Sequence, residues 1–327
     1  MFDVSVIIPT HNRLHLLPQA VASVLAQTGI LLELIIVNDG SRDGTGEWLR
    51  QLAADDRRIK VVNHAEPQLM SAARNAGIER ATARWVAFCD DDDLWAPDKL
   101  MTQIRALQSM GARWSCTGVV EVNETLEIVG HHKAHCGDVL ATLLEENLIP
   151  SGSSVVADRQ LVRQVGGFDP ALFGSEDWDL WIRLAQHSTL AAVDRPLIAY
   201  RLGPATMSMN VERMRQGRAT IVDRYAPLAM KCGVRPTDLK HERYLAKQLL
   251  RAGSRRKAAS IFASLAIKHG RWREFPRVAA ALLAPRLTDR LGRARTVAAI
   301  PSAWQKEAEG WLRPLRTTGR QSLVEHY

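Results

Sequence analysis

Within the first hundred residues, short apolar runs alternate with amphipathic segments, and nearly every run stops at a polar cluster. Val4-Ser5-Val6-Ile7-Ile8 ends at Pro9-Thr10. Leu32–Val37 ends at Asn38-Asp39-Gly40-Ser41-Arg42-Asp43-Gly44, and Trp85–Phe88 runs into Asp90-Asp91-Asp92-Asp93. Ile59–Asn63 reads as a further short strand. Between them Leu14, Leu17, Val21, Val24 and Leu25 recur at helical spacing, with Pro18 in the first turns, where it is tolerated. Helices are also expected around Glu47–Ala54 and Gln68–Arg80. Strands alternating with helices build βαβ units, so the expected class is α/β with a mostly parallel sheet flanked by helices. In such sheets ligands bind beyond the carboxyl ends of the strands, which is where the polar clusters fall.

The middle of the chain is less regular. Arg113–Val122 and Ser153–Ala157 read as strands, Asp138–Glu146 as a helix, and Gly166-Gly167-Phe168-Asp169-Pro170 as a turn. Glu176–Gln186 reads as a helix with Ser175 as N-cap and Leu180, Trp181 and Leu184 on its apolar face. Beyond Arg201 the texture becomes Ala/Leu/Arg-rich and helical, without a strand signal. A boundary near 205 divides a catalytic body, 1–205, from a basic helical region, 206–327. Residues 1–205 carry a net charge of −8 and residues 206–327 a net of +16, which together give the chain its +8. An asymmetry of this size points to a basic appendage that meets something anionic.

Several classes are excluded. At 327 residues, 46% hydrophobic and 24% charged, the composition is that of a globular protein with a full core. Cys89, Cys116, Cys136 and Cys232 contain no CxxC pair, which excludes zinc-ribbon and thioredoxin motifs and fits a reducing compartment. Met1-Phe2-Asp3 leads straight into the first strand, so no signal peptide is expected. No charge-free window approaches the roughly 18 residues a membrane span needs; the longest apolar candidate, Val278 to Ala284, is too short. There is no G-x-G-x-x-G after Val4–Ile8, no P-loop and no G-x-S-x-G, which disfavours dinucleotide binding and serine hydrolysis.

Four constellations could carry chemistry. Consecutive aspartates at Asp90–Asp93 repel one another unless a cation compensates, and hard divalent cations prefer oxygen ligands plus substrate phosphates. Glu176-Asp177 at a helix start either supplies a catalytic carboxylate or simply complements the helix dipole. Arg74, in Ala73-Arg74-Asn75-Ala76-Gly77, is either a diphosphate clamp or a surface arginine. His131-His132-Lys133-Ala134-His135-Cys136 has the composition of a metal cluster without its spacing, and reads better as a polar, mobile loop.

Together these pieces resemble family 2 glycosyltransferases of the GT-A fold. The resemblance rests on Ser5–Arg13, Ile36–Thr45, Ala73–Gly77, Phe88–Trp95, Gly166–Asp169 and Glu176–Leu184, six stretches in the family's order. It covers roughly residues 3–208 and not the remainder. It implies a nucleotide-sugar donor and an inverting transfer. Pro9, Thr10 and Asn12 would line the nucleoside pocket, and Asp39 would accept from the base, in this family most often uracil. Arg74 would place the diphosphate or sugar. Asp90 and Asp92 match the family's D-x-D, a site for Mn²⁺ or Mg²⁺, with Asp91 between them on the donor side. Asp177 matches the catalytic base and Glu176 its neighbour. Many family members carry a histidine after the position of Tyr200-Arg201. Here the stretch is Leu202-Gly203-Pro204-Ala205-Thr206-Met207-Ser208, which leaves Asp92, phosphates and water to hold the metal.

In the C-terminal third, Trp272, Phe275, Val278, Leu282, Leu283, Leu287 and Leu291 recur near helical spacing. Arg271, Arg273, Arg277, Arg286, Arg290 and Arg293 flank them. Such a stripe either binds an anionic membrane surface or packs on the catalytic body or a partner subunit. Pro276, Pro285, Pro301 and Pro314 divide the segment into short helices. Base-stacking aromatics are sparse, so no nucleic acid partner is expected. The leading expectation is a cytoplasmic enzyme, peripheral on the inner membrane face. It would move a sugar, with a UDP-sugar as the expected donor, to a saccharide or lipid-linked acceptor in surface polysaccharide or glycolipid synthesis. A nucleotidyltransferase is disfavoured by Pro9-Thr10-His11-Asn12 where a Gly-rich basic loop would stand. A catalytically inactive nucleotide-sugar-binding scaffold is the alternative.

Overall fold

The computed structural model describes residues 2–172, 174–203, 211–251, 253–268, 270, 275–283, 294 and 296–322. Its first half follows the expected alternation: β1 (Val4–Thr10), α1 (Leu17–Leu25), β2 (Leu32–Asp39), α2 (Thr45–Asp55), β3 (Ile59–His64), α3 (Leu69–Arg80) and β4 (Trp85–Phe88). β5 (Leu94–Trp95), α4 (Lys99–Met110), β6 (Trp114–Val122), β7 (Ile128–His132) and α5 (Leu140–Glu145) come next. Then come β8 (Val156–Asp158), α6 (Arg159–Gln164), α7 (Glu176–Ala185) and β9 (Leu190–Arg201). The described strands join one sheet in the order β3-β2-β1-β4-β8-β6-β9-β5, with β7 paired to β6. The long ladders are parallel: β1 with β2, β2 with β3, and β6 with β9. β8 enters antiparallel between β4 and β6, and β5 and β7 also pair antiparallel.

The near-continuous apolar runs have a simple cause. β1 and β2 are buried along their whole length because helices cover both faces of the sheet. Alternation sorts the side chains. Val4, Val6 and Ile8 join a core under α1, α2 and α4, while Ile7 turns to the opposite core under α3 and α7. α3 presses close to β1: a Cβ at Gly77 would lie 2.4 Å from Ile7 Cγ2, so only glycine fits. Parallel pairing then brings strand ends level. Thr10 stands beside Asn38, Asp39 beside His64, and Ile7 beside Phe88, two residues before Asp90.

Three local expectations change. Gly152–Ser154 is a 3-10 turn, and the strand starts only at Val156. The hydroxyls there serve other partners: Ser151 Oγ donates to Asp93 Oδ2 at 2.9 Å, and Ser153 Oγ accepts from the Asp90 N–H at 2.9 Å. Local side-chain bonds of this kind compete with a ladder. Ser175 occupies the N-cap of α7 but makes no capping bond, its hydroxyl donating to Gly174 O at 2.8 Å. His131 and His132 belong to β7, not to a loop; His132 pairs with Glu121 at 3.1 Å and His131 packs edge-on to Trp304.

The C-terminal helices are α8 (Val211–Lys231), α9 (Leu239–Arg251), α10 (Arg255–Lys268), α11 (Phe275–Leu283) and a final α12 (Ser302–Ser322). α8 adds Ile221, Ala229 and Tyr225 to the core beneath α7. α12 returns to the sheet, burying Trp304, Ala308 and Leu312 against β6, β7 and β9. It runs through Pro314 without ending, so that proline does not divide the segment. α9, α10 and α11 share a smaller core of their own. Val278 is partly buried there, whereas Phe275, Leu282 and Leu283 are exposed. Arg271, Trp272, Arg273, Pro285, Arg286, Leu287, Arg290, Leu291 and Arg293, and Pro204–Ser208, lie outside the described residues. No helix among the described residues is long and apolar enough to cross a membrane.

Candidate active site

A cavity of about 680 Å³ opens at the carboxyl ends of β1, β2 and β4. Pro9, Thr10, Asp39, Arg74, Asp90, Asp91, Asp92, Glu176 and Asp177 all line it. Asn12 is the one member of the sequence-derived set that does not. Its backbone is left-handed at φ 53°, and its Oδ1 accepts from the Arg42 N–H at 2.7 Å, tying β1's exit to the loop after β2. Asp39 has a structural duty as well: it accepts the N–H groups of Gln68 and Leu69 at 2.8 and 2.9 Å and holds the start of α3. Its Oδ1 is also 2.7 Å from His64 Nδ1. A carboxylate oxygen has two lone pairs, so Oδ2 keeps one for a ligand N–H.

The aspartate run is compensated by arginines from the loop after β1, from α3 and from β9. Arg13 Nη1 donates to Asp92 Oδ2 at 2.6 Å and lies 3.3 Å from Asp91 Oδ1. Arg74 Nη2 donates to Asp90 Oδ1 at 2.7 Å, while its Nη1 is 3.5 Å from Glu176 Oε1. Arg201 Nε donates to the Asp92 carbonyl at 3.0 Å. Asp93 is different: fully buried, it takes Ser151 Oγ and the Arg201 N–H and does not reach the cavity. Burial pushes the Asp91 carboxyl up to about 7 against the pull of Arg13. Burial and Asp90 raise Asp92 too. Burial opposes the charge on Arg74, but Asp90, Glu176 and Asp177 outweigh it and hold the guanidinium charged.

Asp177 faces the cavity from the first turn of α7, where Oδ1 accepts the Trp178 N–H at 2.6 Å. Burial, then the neighbouring Glu176 charge, push it up to about 7. Glu176 is nearly inaccessible and fixed between the Gly174 N–H, at 2.8 Å, and Arg74. Arg74 therefore links the aspartate run to the Glu176-Asp177 pair, a role its place on a helix could not reveal.

Two groups escaped the sequence reading. Arg13 closes the Ser5–Arg13 stretch, and its signal is the unbalanced charge of four aspartates, which demands cations nearby. The second is a wall from the C-terminal region: Arg213, Met214 and Arg218 of α8 and Lys240, His241 and Tyr244 of α9 line the same cavity. Their helical spacing carried no hint of a distant carboxylate.

The donor set suits a hard divalent cation: Asp90, Asp91 and Asp92 offer only oxygens, and their mutual repulsion is relieved by added positive charge. Among the described residues, no group of three or more ligating side chains is gathered as a ready-made metal centre. Arg13 takes Asp92 Oδ2 and Arg74 takes Asp90 Oδ1.

Strand order, strand-end carboxylates and helical C-terminal region define a nucleotide-sugar transferase-like GT-A architecture. The family model for glycosyl transferase family 2 matches residues 5–164. The UDP-Glc:alpha-D-GlcNAc-diphosphoundecaprenol beta-1,3-glucosyltransferase WfgD of Escherichia coli is 30% identical over 63% of this chain and 80% of its own. The chain therefore belongs to glycosyl transferase family 2. An uncharacterized glycosyltransferase of Rickettsia felis is 31% identical over 62% of this chain, but the match spans only 33% of that longer protein. Among solved structures, the Pyrobaculum calidifontis mannosyltransferase PcManGT, in complex with GDP-Man and Mn²⁺, superposes with a TM-score of 0.57 at 21% identity, covering 94% of this chain and 90% of that one. Staphylococcus aureus TarS 1-349 in complex with UDP-GlcNAc gives 0.55 at 16% identity, covering 98% and 92%. These two likenesses concern the fold.

Proposed function

We propose that this protein is an inverting glycosyltransferase that moves a sugar from a UDP-sugar to an acceptor hydroxyl in cell-surface polysaccharide or glycolipid synthesis. The observation that carries the reading is the shared cavity: a half-buried Asp177 with a carboxyl near 7 faces the strand-end aspartates across one 680 Å³ space. A base near neutrality is suited to take a proton from a sugar hydroxyl in the transition state. Pro9, Thr10 and Asp39 hold the nucleoside, and Asn12 braces the loop behind it. Arg74 fixes both Asp90 and Glu176, so donor and base keep a constant separation. Asp90 and Asp92, with Asp91 beside them, would hold the Mn²⁺ or Mg²⁺. That ion, when bound, neutralises charge growing on the leaving diphosphate. One displacement from the face opposite the leaving group inverts the anomeric centre and needs no second nucleophile.

Residues 1–205 form the catalytic body in this reading and 206–327 the basic helical region. The enzyme works in the cytoplasm, held peripherally at an anionic membrane surface by its basic region and the exposed Phe275, Leu282 and Leu283. WfgD, named for a diphosphoundecaprenol acceptor, supports a lipid-linked substrate. Co-sedimentation of the full chain with anionic but not neutral vesicles checks the membrane claim; equal recovery with both overturns it.

The deciding experiment is calorimetric titration of UDP and GDP, with and without Mn²⁺, into wild type and Asp92→Ala. Metal-dependent UDP binding that weakens at least tenfold in the variant is expected. No nucleotide binding by folded wild-type protein would sink the donor-site reading. Nucleotide binding without any sugar transfer or donor hydrolysis would favour the inactive scaffold.

A further inference from the structure

The cavity has two electrostatic halves. Its donor side carries Asp90, Asp91 and Asp92; a wall built by α8 and α9 carries Arg213, Arg218, Lys240 and His241, with Glu146 beside Lys240. That wall is registered against the base-bearing helix and is no loose appendage. A Cβ on Gly217 of α8 would come within 2.2 Å of Ser175 Oγ, so glycine alone allows this approach just before Glu176. One turn earlier the Arg213 stem crosses Gly174, where a Cβ would lie 3.2 Å from Arg213 Cγ. Arg218 lies over the Trp178 ring, 5.7 Å from its centroid. Further along, Arg224 and Tyr225 donate to Asp179 Oδ1 at 2.9 and 2.7 Å.

The basic residues divide by duty. Arg218 is committed to structure, donating to Asp238 Oδ1 at 3.1 Å, Thr237 O at 2.8 Å and Glu145 O at 3.2 Å. Lys240 donates to Glu146 at 2.6 Å, its side chain 59% exposed and that of Glu146 35%. Pairs of that kind are weak, so a better-placed anion can displace Glu146 at small cost. His241 Nε2 is buried and has no hydrogen-bond partner among the described residues. Burial and then Arg218 push its ring down to about 4, so it is neutral and offers a hydrogen bond, not a charge. An anionic substrate entering this cavity is repelled by the aspartates and Asp177 and drawn to the α8–α9 wall.

We propose that this wall is an anion subsite for the acceptor, in which Arg213 and Lys240 take a phosphate or carboxylate group and His241 adds a hydrogen bond. The acceptor then carries its negative group next to the hydroxyl that Asp177 serves. The inference rests on the reading of Asp177 as the base and adds to it the chemical class of the acceptor.

The test uses full-length protein saturated with UDP, so that the donor side is filled. Inorganic phosphate, glucuronate and glucose are titrated separately into wild type and Arg213→Gln/Lys240→Gln. Phosphate or glucuronate is expected to bind wild type and to lose at least tenfold in the double variant, with glucose silent. Which anion binds tells a phosphate-bearing acceptor from a uronate-bearing one. Anion binding that survives both substitutions, or that is absent from wild type, overturns the subsite. Equal UDP affinity in the two proteins reports an intact fold; should the double variant not fold, Lys240→Gln alone must weaken the anion severalfold. If wild type does not bind UDP, the donor reading fails separately, and the same titrations on unloaded protein still decide the subsite.

Discussion

Asp177 is where folding and chemistry pull in opposite directions. Its carboxyl is raised from an ordinary 3.8 to about 7 by burial and by Glu176. A raised acid binds its proton more tightly in the folded chain than in the unfolded one. The resulting stabilisation is full below about pH 4 and is lost as the pH rises through 7, by on the order of 2–4 kcal/mol. Asp177→Asn keeps the shape and removes the charge. It should melt higher than wild type at pH 8, with little difference at pH 4, while turnover falls roughly 10²–10⁴-fold and UDP affinity stays. Wild-type kcat/KM should show an acidic limb near pH 7, because the base must be ionised. Undiminished turnover in the variant would remove Asp177 from the mechanism. The site was partly legible because charge is conspicuous: four aspartates and a Glu-Asp pair stand out in any sequence. Their cations stood out less: Arg74 was legible as a candidate donor ligand but not as the partner of Asp90, and Arg13 and Arg201 lie far from the run in sequence, so only the folded sheet edge brings the three together.

At the scale of elements, α3 holds Arg74 in place through its contact with β1. Gly77→Ala gains up to about 1 kcal/mol of helix propensity. It also forces a methyl to 2.4 Å from Ile7 Cγ2, in a fully buried strand that cannot retreat. Overpacking of this kind costs about 1–3 kcal/mol, so the clash should win and the variant should melt several degrees lower. UDP affinity should fall with it, since α3 carries the arginine that orders Asp90. Ile7→Ala in the same chain should cost less than the two changes added separately, and strict additivity in denaturant melts would refute the contact. β1 to β4 and their helices were legible because each is a local pattern of period two or 3.6. The start of β8 was not, since two serines in its approach answer to Asp90 and Asp93, more than fifty residues away in the chain. α12 was read as helical, but its seat on the sheet depends on Trp304 meeting strands formed a hundred residues earlier.

For the whole molecule, the change of texture near 205 marks a boundary in composition, and its meaning for folding follows from the packing. Asp179 is fully buried and accepts from Arg183 of its own helix and from Arg224 and Tyr225 of α8. Ending the chain at 205 leaves that carboxylate with one cation and opens the core that Ile221 and Ala229 close. It also bares the sheet beneath Trp304, Ala308 and Leu312 and removes the Arg195–Glu307 pair at 2.6 Å. Breaking a buried ionic cluster alone costs about 3–5 kcal/mol, comparable with the entire stability of many domains. A chain of residues 1–205 should therefore be insoluble or melt far below the full protein, and the full protein should unfold in one calorimetric transition at the body's melting temperature. A soluble 1–205 chain with native melting and UDP binding would show that the basic region is an independent accessory. The expected loss would mean that the helices supplying the acidic cavity with its basic wall are also what keep that cavity standing.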